Sequence, residues 1–259
     1  MKTKVRSINR IQDFKMLPEI QRSAWGFSDL ELEPHALMTQ VQKYGGLVQG
    51  LYLEDALVGF TYAVIGKWQG EYFIFSHMLA VRREYQGRGF GFRLKKGQRI
   101  ESLKMGYDTI RWNFDPLEAL NAYFNLHRLG AFGDAYEVNA YGEGESGLHM
   151  GLPTDRLVAT WPLRSPQVEA CMRRREPPPI LDPGSPPHIG DFSSPHALIE
   201  IPIDIRSLKQ RDPIKARYWR LRTRAQFRCA FKKKYIANGI AFNRERTRLF
   251  VKLRPGTGG

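Results

Sequence analysis

The sequence is poor in cysteine and contains no long apolar run. Its two cysteines, Cys171 and Cys229, are too few for a disulfide framework or a zinc site. No apolar stretch reaches the roughly 18 residues that a helix needs to cross a bilayer, and the least polar stretch, residues 56–66, favours a strand. The first residues lack the apolar core of a signal peptide. We therefore expect a cytoplasmic protein without a membrane partner and without a metal.

Acidic residues are scarce in the C-terminal fifth of the chain. Residues 205–259 contain 17 Lys and Arg but only Asp212 and Glu245, a local net charge of +15, whereas the whole chain of 259 residues carries +14. This asymmetry is typical of a segment that meets an anion, although a solvated basic surface gives the same pattern. Because no nucleic-acid recognition motif is present, we do not expect nucleic acid as a partner.

Proline divides the chain into two parts. Residues 173–195 contain seven prolines, and proline fits neither an interior helix nor a central strand. We interpret residues 166–195 as a linker between a first domain, residues 1–165, and a small basic α/β unit, residues 196–259. Because the small unit is too short for a large core, we expect it to dock on the first domain.

Hydrophobic periodicity predicts an α/β fold in which helices cover a mixed sheet. The helices of the first domain are expected at residues 13–24, 35–43, 90–107 and 115–129. The strands are expected at residues 5–9, 47–53, 57–65, 72–81, 109–114, 131–141 and 156–161. In the second unit we expect strands at residues 198–205, 239–243 and 249–253, and a long helix from Pro213. That helix is predicted from the spacing of its apolar residues, which are Ile214, Tyr218, Leu221, Ala225 and Cys229, and its aromatic residues Tyr218, Trp219, Phe227 and Phe231 are expected to form its packing face.

A glycine-rich turn joins the central strand to the helix that follows it. The strand ends with Leu79, Ala80 and Val81, and the turn reads Gln86, Gly87, Arg88, Gly89, Phe90, Gly91. Glycines let successive amides point at one spot, and a helix N-terminus adds partial positive charge, so the turn predicts a phosphate or diphosphate site. We expect six basic side chains around it: Arg82, Arg83, Arg88, Arg93, Lys95 and Lys96.

Two other phosphate-binding motifs are excluded at this turn. A dinucleotide fingerprint would need a glycine where Phe92 stands, and a P-loop would need Lys after Gly97, where the chain has Gln98. A plain strand–turn–helix connection is the simpler alternative.

The turn resembles the Q/R-x-x-G-x-G/A signature of the GNAT N-acyltransferase superfamily, and the order of elements over about residues 1–165 is similar to that family. Residues 77–81, 114–117, 121–126 and 155–157 resemble an uncharacterised branch of predicted acetyltransferases. The resemblance implies acetyl-CoA or another acyl-CoA as donor and direct attack by an amine. It also implies that amides from Gln86 to Gly91 hold the pyrophosphate, that Leu79–Val81 pairs with the pantetheine arm, and that Asn121 and Asn125 contact that arm.

Amine acylation needs a base, because a lysine-like amine is almost entirely protonated near neutral pH. Our candidates on the central strand are His77 and Glu71, with Ser76 beside them. His77 has the parity of Leu79 and Val81 and is expected on their face of the sheet. A structural histidine and a solvated glutamate remain the alternatives.

The departing thiolate needs a proton. The resemblance implies a tyrosine four residues before Gly130, but that position is Leu126. Tyr123, one turn earlier, is our candidate acid, and His127 or water could replace it.

These residues predict an N-acetyltransferase or N-acyltransferase that acts on the primary amine of a small-molecule or amino-acid-like acceptor. Two alternatives remain open: a protein or peptide N-acetyltransferase, and a non-catalytic acyl-CoA-binding module, which Leu126 and the basic C-terminal unit favour. A homodimer also remains open.

Overall fold

The computed structural model describes residues 2–142, 151–173, 177–181 and 189–256. They form two compact units, of which the first ends at Trp112 and the second begins at Asn113. Within the predicted linker, Pro166–Arg173 forms a helix, and residues 174–176 and 182–188 lie outside the described residues. The division into domains at 165 and 196 stays a prediction.

Five strands of the first unit lie side by side in the order β1-β2-β3-β4-β5. β4 and β5 run parallel, and the other neighbouring pairs are antiparallel. The strands are β1 Thr3–Ser7, β2 Leu47–Leu53, β3 Ala56–Trp68, β4 Glu71–Val81 and β5 Thr109–Phe114, whose last two residues belong to the second unit. The helices are α1 Ile11–Lys15, α2 Leu17–Trp25, α3 His35–Lys43 and α4 Phe90–Lys104.

Helices cover both faces of these strands. Phe14, Leu17 and Met38 of α1 to α3 pack with Phe60 of β3 on one face, and Leu94 of α4 packs on the other. The mixed α/β fold class is thereby confirmed, and α3 has its predicted bounds.

The single helix predicted over residues 13–24 is wrong. The chain breaks at Met16, and α2 starts with Pro18 in its first turn. Proline is tolerated there because first-turn amides have no helical partner, but it could not continue an earlier helix.

The second unit contains five strands in the order β7-β6-β9-β10-β8, all neighbours antiparallel. The strands are β6 Phe132–Glu137, β7 Arg156–Pro162, β8 Ala197–Ile201, β9 Tyr235–Phe242 and β10 Leu249–Pro255. The helices are α5 Ala119–Ala122, which continues as a π-helical turn over Tyr123–Arg128, α6 Pro166–Arg173, α7 Ile205–Arg211 and α8 Pro213–Lys232.

The helix predicted from residue 115 starts four residues late. Asp115 Oδ1 accepts from the amide of Leu117 at 2.9 Å and so closes a turn outside the helix. The carbonyl of Glu118 then accepts the amides of Asn121 and Ala122, which places the start of α5 there.

The predicted packing face of α8 is confirmed at Phe227, which is fully buried, and wrong at Tyr218, which is 59% exposed. Its start is as expected, since Asp212 Oδ1 accepts from the amide of Lys215 at 2.9 Å. However, Ile214 is 84% exposed and Leu221 is 44% exposed. The buried residues of α8 are Ala216, Arg220, Thr223, Phe227 and Ala230.

Ion pairs explain this orientation of α8. Arg220 and Arg224 bind the carboxylates of Asp115 and Asp155, which draws their side of the helix inward. None of the described helices combines the length and the apolar character that a bilayer span requires.

Candidate active site

A β-bulge interrupts the pairing of β3 with β4. Tyr62 faces Met78 and Ala63 faces Ser76, so His77 is the extra residue that has no counterpart on β3. One inserted residue bends a strand and reverses the alternation of its side chains beyond that point. Bulges of this kind occur next to active sites, where they redirect a side chain.

The bulge places His77 on the face opposite Leu79 and Val81. Those two residues pack in the cluster with α4. The ring of His77 instead meets the edge of Tyr62 at a centroid distance of 5.6 Å, and Tyr62 belongs to the cluster under α1 to α3. The prediction that His77 shares the face of Leu79 and Val81 is therefore wrong, because strand parity does not count a bulge.

Glu33 lies beside His77. Its Oε2 is 3.6 Å from Nε2 of His77, and both side chains are partly exposed, 22% and 37%. The fully buried Gln21 fixes the backbone of Glu33, since its side chain donates to the carbonyl at 3.0 Å and accepts from the amide at 2.9 Å. Burial, and then the charge of Glu33, raise the pKa of Tyr62.

Sequence reasoning missed Glu33. It lies 44 positions before His77 and belongs to no motif, so no sequence signal connects the two. Within the described residues, no group of three or more His, Cys, Asp or Glu side chains is arranged to hold a metal.

β4 and β5 separate just before the bulge. Their parallel pairing comprises Ile74 with Ile110 and Phe75 with Arg111, and in the described chain it extends no further along β4. The edge of β4 from His77 onward is thus open on the β5 side, and an extended, amide-containing ligand could add to such an edge as a strand does.

Lys95 of α4 lies at the point of separation. Its Nζ donates to Ser76 Oγ of β4 at 2.9 Å and to Gln98 Oε1 at 3.0 Å, and it lies 3.8 Å from the ring centroid of Trp112 of β5. Burial lowers the pKa of Lys95 to about 7. Lys95 thereby connects both strands where they diverge.

The glycine-rich turn has the conformation that its sequence predicts. Gly87 and Gly89 have φ values of +76° and +77°, in the left-handed region, and a Cβ on either would meet no atom within 4 Å. The backbone conformation therefore favours glycine at both positions, and the space beside them is open. The side chain of Gln86 donates to the carbonyl of Val81 at 3.0 Å and closes the turn.

The start of α4 offers amides to an anion. The first helical bond of this turn runs from the amide of Arg93 to the carbonyl of Gly89, so the amides of Gly89, Phe90 and Gly91 have no carbonyl one turn earlier to bind. Amides in this position, together with the helix dipole, form an anion site. Acyl-CoA carries a pyrophosphate, so these residues fit its binding.

Two of the six basic residues predicted around the turn have hydrogen-bond partners elsewhere. The guanidinium of Arg88 lies over the ring of Tyr85 at 5.3 Å, beside the turn. Lys95 is buried under α4, and Arg93 hydrogen-bonds the hydroxyl of Thr3. The expected role of Lys95 at the surface of the turn is wrong, because its position on the helix faces the strands.

Glu71 and His77 are not brought together. Glu71 is exposed at the tip of the β3–β4 hairpin, opposite Trp68. The six residues that separate it from His77 along β4 correspond to on the order of 20 Å.

The remaining predicted residues lie in the second unit. Tyr123 is in the π-helical turn, and its ring stacks on His127 at 5.5 Å. Asn121 is exposed, Asn125 is 5% exposed, and Leu126 is 1% exposed. π-Helical turns occur frequently at functional sites.

Residues 14–130 match the model of the acetyltransferase (GNAT) family. This chain contains a GNAT acetyltransferase domain. The matched residues include the β4 bulge, the open edge of β4, the glycine-rich turn and the π-helical turn. This match confirms the predicted family and the predicted class of enzyme, an acyltransferase, for the matched part of the chain. No curated protein matches the chain.

Solved structures show the same fold. A GNAT-family putative acetyltransferase from Desulfovibrio desulfuricans has 14% identity and a TM-score of 0.50 over 62% of this chain and 99% of its own. An N-acetyltransferase from Staphylococcus aureus Mu50 has 15% identity and a TM-score of 0.51 over 63% and 100%. A putative acetyltransferase from Salmonella typhimurium, solved with its cofactor acetyl-CoA, has 16% identity and a TM-score of 0.50 over 64% and 96%.

Proposed function

We propose that this protein is an N-acyltransferase that moves an acetyl or other acyl group from acyl-CoA to the primary amine of a small-molecule or amino-acid-like acceptor. The observation that carries the proposal is the bulge in β4, which turns His77 toward Glu33 next to an open strand edge. A partly exposed carboxylate attracts a protonated amine, and an imidazole beside it can remove the proton.

The donor binds at the glycine-rich turn. The amides of Gly89, Phe90 and Gly91 bind the pyrophosphate, and Arg88 adds positive charge beside them. The open edge of β4 at Leu79–Val81 pairs with the pantetheine arm. When bound, acyl-CoA supplies an activated thioester carbonyl.

His77 acts as the general base. It accepts a proton from the acceptor ammonium, directly or through water, and Glu33 stabilises the imidazolium that forms. The freed amine forms a C–N bond with the acyl carbon as the C–S bond breaks. Glu71 has no part in this step because of its distance from His77.

Tyr123 donates the proton to the departing thiolate. Its ring stacks on His127, a second group that can exchange a proton at this place. This assignment rests on the resemblance to the family and on the partial exposure of both rings.

The experiment is a thiol-release assay with acetyl-CoA over a library of amines, amino acids and short peptides. We expect release of CoA with at least one small amine and little with peptides. A folded protein that releases no CoA with any acceptor contradicts the proposal, and a preference for peptides corrects the acceptor class.

One observation favours a second function, a non-catalytic acyl-CoA-binding module. Leu126 is buried where the resemblance implies a catalytic tyrosine. This function predicts calorimetric binding of CoA without turnover, and loss of turnover in a Tyr123→Phe or His77→Ala variant excludes it.

A further inference from the structure

Residues 115–128 connect the end of β5 to the π-helical turn and contain the proposed donor contacts Asn121 and Asn125 and the proposed acid Tyr123. We call them the connecting segment. It begins with two carboxylates, Asp115 and Glu118, which are 11% and 16% exposed. The residues that bind these two carboxylates therefore hold the start of the connecting segment in place.

The two carboxylate oxygens of Asp115 accept hydrogen bonds from different donors. One oxygen accepts from the amide of Leu117 at 2.9 Å, and the other accepts from Nη2 of Arg220 at 2.5 Å. Burial alone would raise the pKa of Asp115, but the charge and hydrogen bond of Arg220 outweigh it and lower that pKa. The side chain of Arg220 is 1% exposed, so this pair is isolated from solvent.

Glu118 is held in the same way. Nε of Arg206 donates to its carboxylate at 2.8 Å, and Nζ of the nearly buried Lys209 lies 3.9 Å away. Because the carbonyl of Glu118 accepts the first amide bonds of α5, its side chain and its backbone connect α7 to the start of that helix.

The three cations come from far along the chain. Arg206 and Lys209 belong to α7 and Arg220 belongs to α8, outside the part of the chain that the family model matches. We call them the C-terminal cation cluster. Carboxylates already occupy these cations, so this part of the basic segment is not presented to an external polyanion.

The far end of the connecting segment is held by other elements. The indole nitrogen of Trp161 donates to the carbonyl of Leu129 at 2.9 Å, and Arg128 donates to the carbonyl of Cys171 at 2.6 Å. With its far end fixed by β7 and α6, the conformation of the segment depends on the cluster at its beginning.

We propose that the C-terminal cation cluster positions the connecting segment for catalysis, so that Arg206 and Arg220 act as positioning residues for Asn121, Tyr123 and Asn125. The inference rests on the proposed function and assigns a role to the basic C-terminal unit. A displacement of about 1 Å at reacting groups is enough to cost up to 100-fold in rate.

Arg206→Ala tests the proposal, with Arg248→Ala as the matched control. Both arginines are substantially exposed, 72% and 46%, and each donates its Nε to a largely buried glutamate, Glu118 at 2.8 Å and Glu200 at 2.7 Å. Arg248 also donates its Nη2 to Glu200 at 2.8 Å, so the control variant loses the stronger ion pair, and Glu200 lies in β8 rather than in the connecting segment.

We expect Arg206→Ala to raise both the KM for acetyl-CoA and the calorimetric Kd for CoA about tenfold, with the KM for the amine unchanged. Arg248→Ala should remain within about twofold of the wild type. Arg206→Lys, which keeps the charge, should recover most of the affinity. A merely structural role would lower kcat through loss of folded enzyme and leave both KM values unchanged.

Arg220→Met should show a larger effect of the same kind, and measuring it on the folded fraction separates positioning from unfolding. If Arg206→Ala matches Arg248→Ala in KM and Kd while the wild type is active, the inference is wrong and the proposed function stands. If the wild type neither binds CoA nor releases thiol, the proposed function fails and the inference fails with it.

Discussion

Single residues decide how buried charge is accommodated in this protein. Lys95 and Arg220 are both almost fully buried, at 3% and 1% exposure. Burial lowers the pKa of Lys95 to about 7. For Arg220 burial acts in the same direction, but the charge and hydrogen bond of Asp115 outweigh it and raise the pKa. The first residue is therefore sensitive to pH near neutrality, and the second is not.

Because burial lowers the pKa of Lys95 to about 7, we expect the free energy of unfolding to increase as the pH rises above about 7. Between pH 7 and about 10.5 the unfolded chain binds a proton at this lysine that the folded chain does not, so the free energy of unfolding increases by up to about 1.4 kcal/mol per pH unit. Urea unfolding of the wild type and Lys95→Met at pH 7, 8 and 9 measures this, and the variant should lack that increase. The exposed Lys104→Met should keep it, and equal slopes in all three proteins would refute the assignment.

We expect that replacing His77 by alanine greatly reduces turnover and leaves the fold intact. Its side chain is partly exposed, so His77→Ala should leave the free energy of unfolding within about 1 kcal/mol. General-base catalysis contributes about 10²–10⁴-fold, and kcat should fall by that range. His196→Ala, at an exposed position of the second unit, is the control for thiol release. Unchanged kcat in His77→Ala would remove His77 from the mechanism.

At the scale of elements, the orientation of α8 gives a direct test. Phe227 is fully buried and stacks on Tyr136 at 5.6 Å, whereas Leu221 is 44% exposed. Phe227→Ala should lower the free energy of unfolding by about 3–5 kcal/mol. Leu221→Ala should change it by about 0.5 kcal/mol or less. Denaturant titration measures both, and a larger loss at Leu221 would show that the apolar stripe faces the core after all.

Local patterns were enough to predict most elements but not their exceptions. Alternation gives β2, β3 and β4, and the Asp212–Pro213 pair gives the start of α8, because these signals act within a few residues. The bulge at His77 is invisible to alternation, which assumes two residues per repeat. The inward face of α8 depends on Arg220 and Asp115, 105 positions apart, a pairing that no local pattern encodes.

In the candidate site, too, local sequence patterns predict some features, whereas contacts between distant residues could not be predicted. The glycine-rich turn could be predicted because positive φ values favour glycine, and Gly87 and Gly89 have such values. The partner of His77 could not be predicted, because Glu33 comes from a different element and is fixed by Gln21 through backbone hydrogen bonds.

At the scale of the whole molecule, the basic C-terminal segment uses part of its positive charge in internal ion pairs. Arg206, Arg220, Arg224 and Arg248 bind Glu118, Asp115, Asp155 and Glu200. A net charge of +15 over this segment therefore does not amount to fifteen charges available to a partner. Some of the excess basic residues of this segment stabilise the fold through ion pairs, which the amino-acid composition alone does not reveal.

Asp155 is the most connected of these carboxylates. It is fully buried, accepts two bonds from Arg224 at 2.7 and 2.8 Å, and accepts further bonds from Tyr136 and the amide of Asn139. Asp155→Asn should lower the free energy of unfolding by about 3–5 kcal/mol, because it leaves a guanidinium without its charge partner. Glu200→Gln, in the more exposed pair with Arg248, should cost about 1 kcal/mol. Equal losses by thermal unfolding would contradict this ranking.

The central claim is that the glycine-rich turn binds the diphosphate of acyl-CoA. Calorimetric titration with acetyl-CoA and with acetyl-pantetheine, which has the same thioester arm but no diphosphate, tests it most directly. Charge-assisted hydrogen bonds from the amides of residues 89–91 contribute about 1.5–3 kcal/mol each, so acetyl-CoA should bind at least about tenfold more tightly. Equal affinity for the two compounds, or no binding of either, would contradict the account.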